Sequence, residues 1–339
     1  MNIHSEGELP FRRATVLGAG RWGSALSIWL AERGLDITLW CFEKTVQETV
    51  LRTRENPYLP GYKFPERVKI TSDLSLASTE AELLILAVPC QYLRSTIERI
   101  DPPLCPVLGV TKGIEKETGL TVPEVVREVF GQCRYAHLGG PCFPEGLLDP
   151  DTPVAETVAS EDPDLARRIQ RLFAWRNFRP YRSSDVRGVA VLGALKNVYA
   201  IGAGIAAGLG LGEESIAVLV TRALAELRRL AVAMGIPETT VYGLSGVGDL
   251  VLTCYSTGKS RNRNLGLALG QGQRIQQVLE SMGGKVAEGY HTAASVKDLA
   301  ERYEVEMPLA EAIYRILYEE ACAKEVLARL MERPLKAET

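Results

Sequence analysis

Between Val189 and Leu211 the chain is apolar and rich in glycine, interrupted near the middle by Lys196 and Asn197. A helix of this length that is apolar all round has no face for water, so apolar matter must surround it. A bilayer would do, and so would the centre of a helical domain. Centring a lysine in lipid is costly, and the many glycines suit close helix packing. The run therefore reads as a core helix, and no membrane span is expected. That makes the lysine informative. Inside apolar packing it loses its solvation unless something pairs with it, so most structural roles select against it there.

With 339 residues the chain exceeds one ordinary core and suits two domains. Hydrophobic content of 46% and charged content of 24% are those of a soluble globular protein. Lys+Arg number 39 against 42 Asp+Glu, a net charge of -3 that argues against general nucleic-acid affinity. It leaves room for a local basic pocket for a small anion. Seven cysteines, scattered and never spaced C-x-x-C, and three histidines form neither a disulfide framework nor a zinc site. No metal is expected, and the reducing cytoplasm is the expected location. Met1 to Arg13 is polar, lacks the apolar core of a signal peptide, and reads as a flexible extension.

The first half alternates short β-branched runs with helical patterns. Strands are expected at Ala14–Leu17, Ile37–Trp40, Val68–Thr71, Leu83–Val88, Val107–Val110 and Tyr135–Leu138, then at Pro153–Ser160 and Phe178–Tyr181. Helices are expected at Trp22–Arg33, Gln91–Ile100, Pro123–Phe130 and Leu165–Ala174. Alternation of this kind predicts a mainly parallel sheet with helices on both faces. After about Val186 strand signals nearly vanish. Ala217–Met234, Arg263–Leu269, Ile275–Ser281, Thr292–Tyr303 and Pro308–Glu320 read as helices, the first with apolar residues at three- and four-residue spacing. The fold class is α/β plus all-α: a Rossmann-type dinucleotide-binding domain over 14–188, then an all-helical domain over 189–339, expected to pack closely with a cleft between them.

Gly18-Ala19-Gly20-Arg21-Trp22-Gly23 is G-x-G-x-x-G placed directly after a strand and opening a helix. Gly18 permits the tight turn, Gly20 lets the backbone approach a pyrophosphate, and Gly23 lets helix and strand pack closely. After the second strand come Cys41, Phe42, Glu43 and Lys44, where NAD-specific folds often carry Asp or Glu. Glu43 serves a ribose if the strand end shifts, and Lys44 meets a 2′-phosphate, so the choice between NAD and NADP stays open. Lys112, just past the end of the Val107–Val110 strand, lies at the carboxyl edge that faces ligand in such sheets.

A lysine ammonium has a reference pKa of about 10.4, too high for a good base near neutrality. Burial and a nearby second cation such as Lys112 both lower it, which would suit Lys196 to proton transfer with an alcohol. Asp249 and Thr253, four apart in Gly-Asp-Leu-Val-Leu-Thr-Cys, share a face if that segment is helical. Asp249 then orients Lys196, accepts a substrate hydroxyl, or simply caps a helix. Ser260-Arg261-Asn262-Arg263 suits a phosphate dianion, with Arg261 the better candidate and Arg263 reading as a surface residue of a basic turn.

Taken together, these stretches resemble the bacterial-type NAD(P)-dependent glycerol-3-phosphate dehydrogenases. The matching segments include GAGRWGSAL, YLPG at Tyr58–Gly61, AVPC, TKGIE, GGPCF, GALKNVYAIGAGIAAGLGLG, TRALAE, GLSGVGDLVLTC, SRNRNLG, VAEGYHTA and EMPLAEAIY, in order from about Ala14 to Tyr318. The resemblance implies reversible oxidation of sn-glycerol 3-phosphate to dihydroxyacetone phosphate, supplying glycerophospholipid synthesis. It puts the catalytic role on Lys196. It puts the substrate against Lys112, Gly140, Cys142, Asn197, Asp249, Thr253, Ser260, Arg261 and Asn262. It lines the dinucleotide with Gly18, Gly20, Arg21, Trp22, Gly23, Phe42, Lys112, Pro144, Arg261, Val286 and Glu288. The expected assembly is a homodimer. The family usually shows G-P-S/T-F-A, whereas this chain has Gly140-Pro141-Cys142-Phe143-Pro144. A hydroxyl at 142 and an amide N–H at 144 are thus missing, two potential donors to substrate or cofactor.

Overall fold

The computed structural model describes residues 8–79, 81–282 and 287–338. Its contacts divide the chain into two units, one holding residues up to 112 and 120–190, the other 113–119 and 191 onward. The division falls inside the Val186–Gly208 helix. Residues 113–119 join the helical unit because Ile114, fully buried, belongs to its apolar core. No local pattern in residues 113–119 signals this excursion.

In the first unit the strands are β1 (Arg13–Leu17), β2 (Asp36–Trp40), β3 (Glu55–Asn56), β4 (Leu59–Lys63), β5 (Val68–Thr71), β6 (Leu84–Leu86), β7 (Val107–Gly109), β8 (Tyr135–Gly139), β9 (Val154–Ala159) and β10 (Phe178–Ser183). Eight of them form one sheet, in the order β10-β9-β8-β7-β6-β1-β2-β5. All neighbours run parallel except β8 and β9. The chain winds outward in both directions from β1 and β6, which pair through Thr15–Leu84, Val16–Ile85 and Leu17–Leu86. Successive side chains point to opposite faces. Accordingly Val16 and Ile85 enter the core beneath the Arg21–Glu32 and Pro163–Phe173 helices, while Leu17, Leu84 and Leu86 enter the one beneath Cys90–Ile97 and Val122–Phe130. Each fully buried Leu or Ile contributes about 1.5–3 kcal/mol, which is why β6 needs apolar residues at every position.

Local signals set the helix starts. Thr121 and Glu124 cap Val122–Phe130 reciprocally, and Asp162 accepts from the backbone of Asp164 and Leu165 to start Pro163–Phe173. The two-stranded β3–β4 hairpin and the Lys44–Thr53 and Leu74–Thr79 helices were not anticipated. Of the flexible extension expected over 1–13, residues 1–7 lie outside the described residues, and the stretch next to the first strand needs correction. Phe11 is buried in the core beneath the Arg168 guanidinium, and Arg168 donates to the Pro10 carbonyl. A large aromatic beside the first strand is held by burial whatever its distance from the terminus.

Apart from residues 113–119, which form a bridge and a turn, the described elements of the second unit are all helices. Its long elements are the Val186–Gly208 helix from Val191 on, Glu213–Ala233, Arg261–Gly270, Glu288–Arg302 and Pro308–Tyr318. Val186–Gly208 is the one described helix long and apolar enough to cross a membrane, and its apolar window is wholly buried within the fold. Glycine lets the Arg261–Gly270 helix lie directly on it. A Cβ at Gly204 would stand 2.0 Å from the Arg263 carbonyl oxygen, and one at Gly266 1.9 Å from that of Ile201. No larger residue fits at either place, so the glycines of the apolar run serve helix packing.

Candidate active site

The glycine loop is built as a cradle. Gly18 has φ +115°, and Gly23 packs so tightly that a Cβ would lie 2.0 Å from the Gly18 oxygen. Gly20 differs from both, because a Cβ there would meet no protein atom within 4 Å. Its smallness serves nothing inside the protein and leaves open room above the loop. The helix beginning at Arg21 has no side-chain cap and no acidic residue in its first turn, so its N-terminal dipole is left to attract an anion. These features fit the pyrophosphate of a dinucleotide. Trp22 is half-buried against the core, while Arg21 forms an ion pair with Glu145, a residue that sequence reasoning passed over.

Beyond β2, Cys41 is buried and its thiol is pushed up to about 11 by that burial, so it fills space. Phe42 is 70% exposed, an aromatic face offered to a ligand. The strand ends at Trp40 and does not shift toward Glu43. Glu43 instead precedes the Lys44–Thr53 helix, and both its carboxylate oxygens accept from the Tyr58 hydroxyl, at 3.0 and 2.7 Å. That partnership was also missed, although YLPG was among the resembling segments.

At the carboxyl ends of β7 and β8, Lys112 Nζ donates to the Gly140 carbonyl at 3.0 Å. Gly140 itself lies so close to β9 that a Cβ would come within 2.8 Å of the Glu156 Cα. Cys142 is half-buried, its Sγ near the Phe143 oxygen at 3.4 Å. Pro144 opens the short Pro144–Leu148 helix, a position whose N–H has no intrahelical partner. The proline therefore costs the helix nothing, and the departure removes only a donor to a ligand. Behind Lys112, His137 is fully buried and hydrogen-bonds the Tyr135 hydroxyl through Nδ1 at 2.8 Å. Burial, helped by the Lys112 charge, drives its imidazole down to about 3, so it is neutral.

In the helical unit a second group of candidates converges. Lys196 is 6% exposed, and its Nζ donates to Asp249 Oδ1 at 2.9 Å and to Thr253 Oγ1 at 2.7 Å. A wide π-helical turn, Leu244–Gly248, leads directly into the Asp249–Tyr255 helix. Asp249 and Thr253 stand one turn apart on that helix, both buried. Asp249 is thus the partner of Lys196, in the first turn and not at the cap. Cys254, next along, is buried and its thiol is pushed up to about 12.

Asn197 accepts from Asn262 Nδ2 at 2.9 Å, and Asn262 Oδ1 accepts from the Gly289 N–H at 2.9 Å. Ser260 caps the Arg261–Gly270 helix by accepting from the Arg263 N–H. Arg261 is exposed at its first turn, which holds no acidic residue, so side chain and helix dipole both favour an anion there. Arg263 is the correction: it is 9% exposed, and its Nε donates to the Cys254 carbonyl at 2.9 Å. A guanidinium can be buried where it closes an orphan carbonyl at a helix end, which a count of basic residues cannot foresee. Glu288 begins the Glu288–Arg302 helix and is partly buried. Val286, expected beside the dinucleotide, lies outside the described residues. Among the described residues no cluster of His, Cys, Asp and Glu suits a metal.

The chain is similar to known proteins over most of its length. The description "NAD-dependent glycerol-3-phosphate dehydrogenase N-terminus" matches residues 13–166, and its C-terminal counterpart matches residues 185–328. The chain is 43% identical over 331 residues to a glycerol-3-phosphate dehydrogenase [NAD(P)+] of Syntrophotalea carbinolica, covering 95% of this chain and 98% of that one. A protein of the same name from Geobacter sulfurreducens is 43% identical over 335 residues, covering 96% and 98%. Among solved structures, glycerol-3-phosphate dehydrogenase from Coxiella burnetii superposes with a TM-score of 0.90 at 33% identity, covering 96% of this chain and all of that one.

Proposed function

The chain belongs to the family of NAD-dependent glycerol-3-phosphate dehydrogenases, and from that premise we propose how its own residues carry the reaction. The protein interconverts sn-glycerol 3-phosphate and dihydroxyacetone phosphate with NAD(P)+ and NAD(P)H, the oxidoreductase activity that supplies glycerophospholipid synthesis. Its N-terminal unit is the dinucleotide-binding domain, with Gly18, Gly20 and Gly23 forming the cradle. A bound nicotinamide dinucleotide supplies hydride exchange at C2. Arg21, Trp22, Phe42, Pro144, Val286 and Glu288 are the further residues assigned to holding it.

Lys196 is assigned the proton. It takes the C2 hydroxyl proton during oxidation and returns it during reduction. Asp249 and Thr253 fix its Nζ, so the transfer starts from one geometry and not from a freely rotating chain. Lys112 is assigned to stabilising negative charge on the substrate, with Gly140 and Cys142 bordering it. Arg261 and the helix it opens hold the phosphate together with Ser260 and Asn262, and phosphate binding energy aligns C2. We further assign the protein to the cytoplasm, in keeping with its seven free cysteines, and to a homodimer that sedimentation would test.

The observation that carries the reading is Lys196, buried in an apolar helix yet held by a carboxylate and a hydroxyl. A protein that only senses NAD(H) has no use for it. The deciding assay is the fall in NADH absorbance on adding dihydroxyacetone phosphate, in the wild type and in Lys196→Ala. Oxidation by the wild type and its loss in the variant are expected; absence of wild-type turnover defeats the reading.

A further inference from the structure

Asn262, in the first turn of the Arg261–Gly270 helix, is 8% exposed, and both ends of its amide are already engaged. Nδ2 donates to Asn197 Oδ1, and Oδ1 accepts from the Gly289 N–H, each at 2.9 Å. Asn197, 5% exposed, follows Lys196 directly on its helix. Gly289 is the second residue of Glu288–Arg302, and a Cβ there would lie 2.6 Å from the Asn197 carbonyl oxygen and 2.9 Å from Asn262 Oδ1. Three helices therefore meet at one side-chain amide.

The chain of bonds has a fixed direction. A backbone N–H only donates, so the Gly289 amide dictates that Asn262 turns its oxygen that way. Asn262 must then offer its NH₂ to Asn197, and Asn197 must answer with its oxygen. Asn197 is left with Nδ2 as the polar group it can present to a ligand. The orientation of the residue next to Lys196 is thus decided two hydrogen bonds away, by a main-chain group that no substitution can invert.

We propose that Asn262 is a positioning residue acting through Asn197: it holds the Asn197 amide with its donor end toward the substrate's reacting oxygen. This adds to any grip of Asn262 on the phosphate, and it rests on the functional reading above. A substrate oxygen that gains negative charge is stabilised by a donor, whereas a flipped Asn197 would present an acceptor to it.

Dihydroxyacetone, which lacks the phosphate, separates the two roles. A residue that only grips phosphate has nothing to hold on this substrate. Asn262→Ala should lower kcat/KM for NADH-dependent reduction of dihydroxyacetone by about tenfold, the value of a directed hydrogen bond. Asn197→Ala should cost about as much, and the double variant little more than either single one, since one unit is broken in each. In the same Asn262→Ala protein, amide hydrogen exchange at Gly289 should quicken, a readout independent of turnover. Asn262→Asp repeats the test in near-native shape, keeping the acceptor for Gly289 and removing the donor to Asn197. Wild-type rates on dihydroxyacetone in a folded Asn262 variant, with the deficit confined to dihydroxyacetone phosphate, would overturn the proposal. So would unchanged exchange at Gly289. A wild-type protein inactive toward dihydroxyacetone phosphate would instead remove the functional reading beneath it.

Discussion

Thr253 accepts a hydrogen bond from Lys196 Nζ at 2.7 Å while spending its own proton on the Asp249 carbonyl at 2.6 Å. That second bond leaves the hydroxyl with a lone pair, not a proton, facing the lysine. Asp249 Oδ1 approaches the same nitrogen at 2.9 Å. One turn of one helix thus supplies a charged and a neutral acceptor to a cation taken out of water. Removing a buried cation from its partners costs several kcal/mol, so the arrangement is strongly specified.

Lys196→Ala should reduce kcat by about 10²–10⁴, the usual contribution of general acid–base catalysis. NADH binding, followed by fluorescence, should remain close to normal. Near-normal kcat in a variant that still binds NADH would remove the lysine from the chemistry.

Arg261→Ala should raise the KM for dihydroxyacetone phosphate far more than that for dihydroxyacetone. A charge-assisted hydrogen bond is worth about 1.5–3 kcal/mol, or roughly ten- to a hundredfold in affinity. Steady-state kinetics with the two substrates give the comparison. Equal losses on both would assign Arg261 to the dinucleotide alone.

Cofactor selection should be loose. Glu43 bears the one carboxylate directly past β2 and is held by Tyr58, whose hydroxyl that bond pushes up to about 12, keeping it a neutral donor. The pair is exposed, and exposed charges shift affinity by only about 1 kcal/mol. NADH and NADPH should both serve, with kcat/KM values within roughly two orders of magnitude. Glu43→Gln should move the ratio toward NADPH by less than about tenfold. Rejection of either cofactor by the wild type would show that another residue controls the 2′ site.

Glu226 gives a pH signature. It is 2% exposed, accepts from the Leu309 and Ala310 N–H groups that start Pro308–Tyr318, and accepts from the Tyr199 hydroxyl. Burial nevertheless pushes its carboxyl up from 4.5 to about 6. The folded state then binds this proton more tightly than the unfolded chain, so protonation favours folding. Its contribution is most favourable below about 4.5, weakens as pH rises to about 6, and stays constant above. Between those limits the wild type should gain about 2 kcal/mol relative to Glu226→Gln as pH falls. Denaturant midpoints of both proteins across this range would test it, and a constant difference would refute it.

Whatever depends on neighbours along the chain was legible in the amino-acid order alone. Alternation of β-branched strands with amphipathic helices, the Gly18–Gly23 loop and the apolar run around Lys196 are all local patterns, and each limits the backbone directly. They were enough to anticipate a parallel sheet followed by helices, and to single out a lysine that needed a partner. Which atoms those partners are emerges from the packing of distant segments. Arg21 meets Glu145, Asn262 meets Gly289, and Arg263 turns inward to the Cys254 carbonyl where a surface residue was expected. Residues 113–119 join the helical unit, and Phe11 is buried rather than loose. A hydrogen bond depends on distances of tenths of an ångström and on which end of an amide faces which donor. Spacing along the chain carries neither quantity; both arise when separate helices and strands pack against each other.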